Sequence, residues 1–336
     1  MFHKYAFING LMAMTWIASA VAASATCQSG ANLLDSLHPT EKAAIFEQAG
    51  RQANGQGRLY RIDRDGTPTS YLFGTMHLTD PRITRLPDEV ESAFAASGQL
   101  VLETTDLIDA DALANTLLNN PDLTSLPDDT TVTDYLSGED SQELTSLAQA
   151  AGMPISGFTS MQPWLVAASL MTTVCEQQRQ AEGVPILDLA LAQEAQQSGK
   201  SLAGLESAEE QFAAMADLPF DHQAEMLLAT FKFQDRIPDI LETMTVLYLQ
   251  GSIAAIAPTL DVIAPAGSDE ARSLELWQEF DERVILRRNR LMAERLEPLL
   301  RQGGTFVAVG AQHLIGDEGL VELLRNSGWR LSLMEK

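Results

Sequence analysis

The sequence predicts an α/β fold, and three features point there. Short apolar runs, Tyr71-Leu72-Phe73, Leu100-Val101-Leu102 and Thr305-Phe306-Val307-Ala308-Val309, read as buried strands. Between them lie longer stretches with helical spacing and helix-terminus signals. Polar residues suited to chemistry recur where β-type runs end: His77, Glu103, Glu206 and His313. In open α/β sheets that carboxyl edge is where ligands bind.

The chain begins with Lys4, a mostly apolar stretch from Ala6 to Ala20, and small residues through Ala23-Ser24-Ala25. A basic start, an apolar middle and an A-x-A ending describe a secretory signal peptide over residues 1–25. Asn9 interrupts the apolar stretch, which falls short of the ~20 residues a membrane span needs. The expectation is a periplasmic or secreted protein with no stable membrane insertion once the signal is removed. From Pro39 to about Gln52 the pattern predicts a helix, with proline at its first position. Leu59 to Ile62 and Thr69 to Phe73 flank Asp63-Arg64-Asp65-Gly66, a hairpin-like link. Pro87 to Ala96 reads as a helix, and the Leu100 strand ends in Glu103. Residues 107–160 are acidic and broken by Pro121, Pro127 and Pro154, as expected of surface helices and loops.

Pro163 to about Gln180 and Pro185 to Ser198 read as two helices, followed by a short strand from Ser201 to Glu206. Ser207-Ala208-Glu209-Glu210 is a capping pattern that opens the next helix at once. Helices at about 219–233, 237–250 and 268–302 follow, and Gly303-Gly304 stop the last. The Thr305 strand, the His313 turn, a helix from Asp317 to Asn326 and a strand from Trp329 to Leu333 close the chain. The organisation expected is one domain over 26–336, with a helical insertion over about 107–300 interrupted by a core strand near 202–206.

Charge narrows the function. The 336 residues carry a formal net charge of −24. Removal of residues 1–25 takes away Lys4 alone, leaving 21 basic against 46 acidic residues, or −25. Such a chain repels phosphate backbones and anionic lipid, so a nucleic-acid role is excluded from the expectation. Cys27 and Cys175 would both meet an oxidising compartment, and one Cys27–Cys175 disulfide is expected.

The chemistry centres on a repeat. Gly74-Thr75-Met76-His77 and Gly310-Ala311-Gln312-His313 both read strand, glycine, two residues, histidine, in a chain with only five histidines. The glycine after the strand is expected to let the backbone turn sharply. Two imidazoles and two carboxylates, Glu103 and Glu206, form a usable set for a divalent cation such as Mn²⁺, Co²⁺ or Zn²⁺. Water bound to such an ion loses a proton near neutral pH. A carboxylate outside the ion's ligands can then act as general base. No H-E-x-x-H occurs, so the fold must assemble any such site from distant segments. G-x-S-x-G and the glycine-rich phosphate loops are likewise absent. Plainer roles compete: both glutamates suit helix caps. The row Arg283, Arg287, Arg288, Arg290 suits a solvated face pairing Glu279 with Arg283 and Arg290 with Glu294.

Tyr71-Leu72-Phe73-Gly74-Thr75-Met76-His77-Leu78 and Phe306-Val307-Ala308-Val309-Gly310-Ala311-Gln312-His313-Leu314 resemble the paired motifs of the TraB/GumN family. Similarity continues in Val101-Leu102-Glu103-Thr104, Gln162-Pro163-Trp164, Leu187-Asp188, Gly204-Leu205-Glu206-Ser207 and Arg288-Asn289-Arg290-Leu291-Met292-Ala293. The order of the motifs, spanning about Asn32 to Leu333, carries the resemblance. It implies a mixed central sheet flanked by helices, with a core similar to the haem-binding ChaN and erythromycin-esterase proteins. It also implies a likeness to the Tiki metalloproteases, hence metal-dependent hydrolysis of a peptide or protein substrate. By motif position His77 and His313 carry over as the histidines, Glu103 and Glu206 as ligand or base, and Arg288 as a group that orients a carboxylate or polarises a peptide carbonyl. The alternatives on the same scaffold are a non-catalytic peptide- or pheromone-sequestering protein and a haem- or iron-binding protein.

Overall fold

Six strands form one mixed sheet in the order β4-β3-β5-β2-β1-β6. They are β1 (Leu59–Asp63), β2 (Ser70–Thr75), β3 (Gln99–Leu102), β4 (Ser201–Gly204), β5 (Thr305–Gly310) and β6 (Arg330–Glu335). This computed structural model describes residues 29–264 and 270–335. The expected signal peptide and Cys27, hence the Cys27–Cys175 pairing, lie outside the described residues. β1 pairs antiparallel with both β2 and β6, the first through the expected hairpin, in which Gly66 adopts φ +78°. β2, β5, β3 and β4 are mutually parallel. Parallel neighbours need crossover connections, and the chain supplies them with helices.

Alternation along the strands sorts the core onto two faces. Leu72, Val101, Val307 and Val309 join Met292, Leu296 and Leu300 of the Arg287–Gln302 helix and Leu320, Val321 and Leu324 of the Leu320–Asn326 helix. On the other face Phe306 meets Phe73 and, edge-on at 5.3 Å, Phe94 of the Asp88–Ala96 helix. Phe306 is fully buried, so truncation to alanine would cost about 3–5 kcal/mol.

The chain packs as two units. The sheet belongs to one, made of Gly30–Thr105, Glu176–Ser207 and Asp235–Lys336. The smaller unit contains Asp106–Cys175 and Ala208–Gln234 and has its own apolar core, in which Phe158 stacks on Phe231. The helical region expected at 107–300 is thus shared between two packing units, with the helices after 235 belonging to the sheet.

Most elements fall where the sequence places them: the first helix is Pro39–Ala49, with a capping box between His38 and Glu41. The single helix expected from Pro163 to Gln180 is instead two, Pro163–Leu170 and Val174–Ala181. Its first half tightens and ends where Thr172 N–H donates to the Ser169 carbonyl, next to two β-branched threonines of low helix propensity. A further short helix, Ile256–Ile263, was not anticipated. The long arginine-rich helix is interrupted by a π-helical stretch, Asp281–Leu286, which ends two residues before Arg288. It ends at Gly303 with φ +73°, as expected.

Candidate active site

The parallel strands bring their carboxyl ends to one edge. Read across the sheet from β4 to β3, β5 and β2, those ends lead to Glu206, Glu103, the Gly310–His313 turn and His77. Four segments far apart in sequence therefore meet because they follow adjacent strands. The two motif glycines are needed for space and not for an unusual backbone conformation, a correction to the expectation. Neither Gly74 nor Gly310 has positive φ. A Cβ on Gly74 would sit 2.9 Å from Ala311 Cα, and one on Gly310 would sit 3.2 Å from Glu103 Oε1 and 3.5 Å from His77 Nε2.

The two imidazoles face one carboxylate oxygen. His77 Nε2 lies 4.0 Å and His313 Nε2 3.8 Å from Glu103 Oε1. Each ring is held from behind through Nδ1. His77 Nδ1 is 2.8 Å from Asp188 Oδ2, and Asp188 Oδ1 accepts from Thr75 Oγ1 at 2.8 Å. His313 Nδ1 is 2.7 Å from Asn289 Oδ1, whose amide nitrogen donates to the Glu318 carbonyl at 2.9 Å. That donation fixes the amide, so its oxygen faces the ring and His313 carries its proton on Nδ1. Asp188 sets the same tautomer for His77. Both rings then direct Nε2 toward Glu103.

Glu103 and Glu206 share Arg288. Glu103 Oε1 accepts from the Gly310 amide at 2.6 Å, and its Oε2 accepts from Arg288 Nη2 at 2.7 Å. Both Glu206 oxygens accept from Arg288 Nε at 3.1 Å, and Oε2 also takes Nη2 at 2.7 Å. Arg288 Nη1 donates to the Val284 carbonyl one turn back. The structure thus brings His77, His313 and Glu103 together, places Arg288 behind Glu103, and turns the Glu206 carboxylate onto Arg288. Arg290 pairs with Glu282 and Glu318 and not with Glu294, whereas Glu279 does pair with Arg283. Asp188 was present in the Leu187-Asp188 motif but given no role; nothing local marked it as the partner of a histidine 111 residues away.

Electrostatics separate the two rings. His77, with a side chain 53% exposed, is raised to about 9, chiefly by Asp188. His313, 5% exposed at the side chain, is pushed down to about 4 by burial. Burial opposes ionisation of Glu103, but His313, His77, Arg288 and the Gly310 amide outweigh it and hold the carboxyl at about 2.

The donor set fits a divalent cation in its chemistry and orientation. Imidazoles with Nδ1 anchored by acceptors are how histidine ligands are presented to metals, and His77 would give up its Nε2 proton to an ion. Ligands at Zn²⁺ distances stand ~3.4 Å apart on a tetrahedron, and the separations from Glu103 Oε1 are 3.8 and 4.0 Å. Among the described residues no three His, Cys, Asp or Glu side chains are closed tightly enough to chelate an ion as they stand. Glu103 Oε1 would have to close by about half an ångström on each ring to reach that spacing.

The TraB/PrgY/gumN family model matches residues 58–332, from before the first strand pair to the last strand. The chain belongs to the TraB/PrgY/gumN family. Among curated relatives it is 26% identical over 309 residues to "Metalloprotease TIKI1" of Danio rerio, a match covering 81% of this chain and 62% of that protein. It is 25% identical to "Metalloprotease TIKI1" of Homo sapiens, covering 81% of this chain and 61% of the relative. The chain thus spans about three fifths of the TIKI proteins' length. It is also 26% identical to "Uncharacterized protein YbaP" of Shigella flexneri, covering 79% of this chain and 90% of that protein. No solved structure matches the chain. Among the described residues no helix is long and apolar enough to cross a membrane.

Proposed function

We propose that this member of the TraB/PrgY/gumN family is an exported, metal-dependent hydrolase of peptides. One observation carries the reading: two Gly-x-x-His imidazoles, each anchored through Nδ1, present Nε2 to the same oxygen of Glu103. Relatives of about 25% identity that are named metalloproteases support the reaction class.

His77 and His313 would hold the ion through Nε2, with Glu103 Oε1 on the same side. The ion would supply Lewis acidity and lower the pKa of a water in the site. Held at about 2, Glu103 is ionised throughout the physiological range and is a poor proton acceptor. Its role is to set negative charge between the two rings. Arg288 spends its donors on Glu103, Glu206 and the Val284 carbonyl. It therefore fixes the Glu103 carboxylate. Glu206 anchors Arg288 from the far side. Asp188 and Asn289 hold the imidazole planes and keep both Nε2 atoms free of protons when the rings are neutral.

The test is a peptide-library digest by purified protein with Mn²⁺, Co²⁺ or Zn²⁺. Cleavage that chelator abolishes, and that both His77→Ala and His313→Ala remove without unfolding the chain, is expected. No cleavage with any of the three ions overturns the reading.

A further inference from the structure

The sheet ends, on the side of the candidate site, in a strand whose outer edge is open. Among the described residues β4 pairs with β3 alone. Ser201 N–H donates to the Gly98 carbonyl and Leu205 N–H to the Leu102 carbonyl. Residues 201, 203 and 205 therefore face β3, and Leu202 and Gly204 turn their N–H and C=O groups away from the sheet. Among the described residues neither group of Leu202 or Gly204 finds another partner. Ser201 and Gly204 are exposed.

Proteins usually blunt such edges with charge, proline, a covering element or a very short strand; β4, at four residues, is short but still turns two residues outward. The opposite edge follows that rule, since β6 opens with Arg330 paired to Asp65. β4 has neither charge nor proline. The adjacent Lys200 turns its ammonium inward, onto the Ser97 carbonyl at 2.5 Å. An unpaired ladder recognises one thing, a second backbone in extended conformation. β4 also runs directly into Leu205 and Glu206, whose carboxylate holds the arginine that fixes Glu103.

We propose that the open edge of β4 docks an extended peptide, which adds to the sheet as a seventh strand and passes the carboxyl ends of β4 and β3 toward His77 and His313. The proposal rests on the peptide-hydrolase reading of the site. Strand spacing of about 4.8 Å puts the added strand ~10 Å from β3, a span of about three extended residues. Recognition by main chain leaves side-chain selectivity low, and the net charge of −24 favours neutral or basic peptides.

The probe is the acetylated octapeptide (Lys-Val)4 amide, with its fully N-methylated form as control, added to the full chain without metal. Expected are slowed amide exchange at Leu202 and Gly204 on saturation and roughly tenfold weaker binding of the N-methylated peptide, the effect of losing about two main-chain hydrogen bonds. Leu202→Pro removes one outward donor while leaving the β3 ladder intact, and should weaken binding several-fold with the circular dichroism unchanged. The proposal is overturned if the octapeptide does not bind at about 1 mM, binds without protecting Leu202 and Gly204, or binds equally well when N-methylated. Cleavage of library peptides without edge protection sinks the docking strand alone. Edge protection with no cleavage under any metal sinks the hydrolase reading alone.

Discussion

The two Gly-x-x-His turns share a sequence pattern and a destination but not an electrical state. After β2, His77 is half-exposed, backed by a carboxylate, and raised to about 9. After β5, His313 is buried, backed by an amide, and lowered to about 4. Both address the same oxygen of Glu103. The motif fixes where a ring emerges, while the residue behind Nδ1 and the degree of burial fix what that ring does. At neutral pH one ring is a cation and the other a free base, so an ion held as proposed would displace a proton from the His77 side and little from the His313 side.

The harshest way to break the comparison is to remove the cation behind their common partner. Arg288→Leu leaves the Glu103 and Glu206 side chains, 9% and 1% exposed, without their counterion. A loss of about 3–5 kcal/mol is expected in urea denaturation; a loss under 1 kcal/mol would show that the two carboxylates relax into water.

Next comes Asn289, which is fully buried and serves both His313 and the Glu318 carbonyl. Asn289→Ala should cost about 1–3 kcal/mol for the groups left unpaired. Asn289→Asp should make the two turns alike, raising the His313 value from about 4 by ~1–3 units. A titration of the ring protons by NMR reads it, and an unmoved His313 would mean that burial alone sets its charge.

The converse change is smaller. Asp188→Asn should lower the His77 value from about 9 toward the ordinary range, by ~1–3 units. The same NMR titration checks it, and retention of the high value would place its cause elsewhere.

Stability against pH carries the opposite signs. His313 has a folded value below its ordinary 6.5, so below that pH the unfolded chain binds the extra proton and stability falls from pH 6.5 toward 4. Glu103, held at about 2 against an ordinary 4.5, adds a further loss from pH 4.5 toward 2. His77 is raised, so its contribution is complete below pH 6.5 and is lost as pH rises through 9. Thermal melts of the metal-free chain should peak between these limbs. His313→Gln should flatten the acid limb above pH 4, and His77→Gln the alkaline one. A variant that leaves its limb unchanged would sever that ring from the pH dependence.

How much of this was legible in the sequence follows from distance along the chain. The strand runs, the helix caps and the two histidines are local patterns, and the parallel order of β2, β5, β3 and β4 turns four local signals into one site. The backing groups were not legible as such. Asp188 stands 111 residues from His77, and Glu103 lies 185 residues from Arg288, so only the fold pairs them. Glu206 and Glu103 look equivalent in sequence, each ending a short strand. Their difference arises in the fold, which turns Glu103 Oε1 to the Gly310 amide and the two rings, and both Glu206 oxygens onto Arg288. In sequence the glycines look like turn residues, because a side-chain clash with a segment more than 200 residues away leaves no local trace.

Elemental analysis of purified wild-type, His77→Ala and His313→Ala protein after loading with Mn²⁺, Co²⁺ or Zn²⁺ and desalting tests the shared centre most directly. Near-stoichiometric metal in the wild type and its loss from each single variant, with both variants still folded, is the expected outcome. A wild type that retains no ion, or variants that both keep theirs, would mean that the two turns meet at Glu103 for some purpose other than holding a cation.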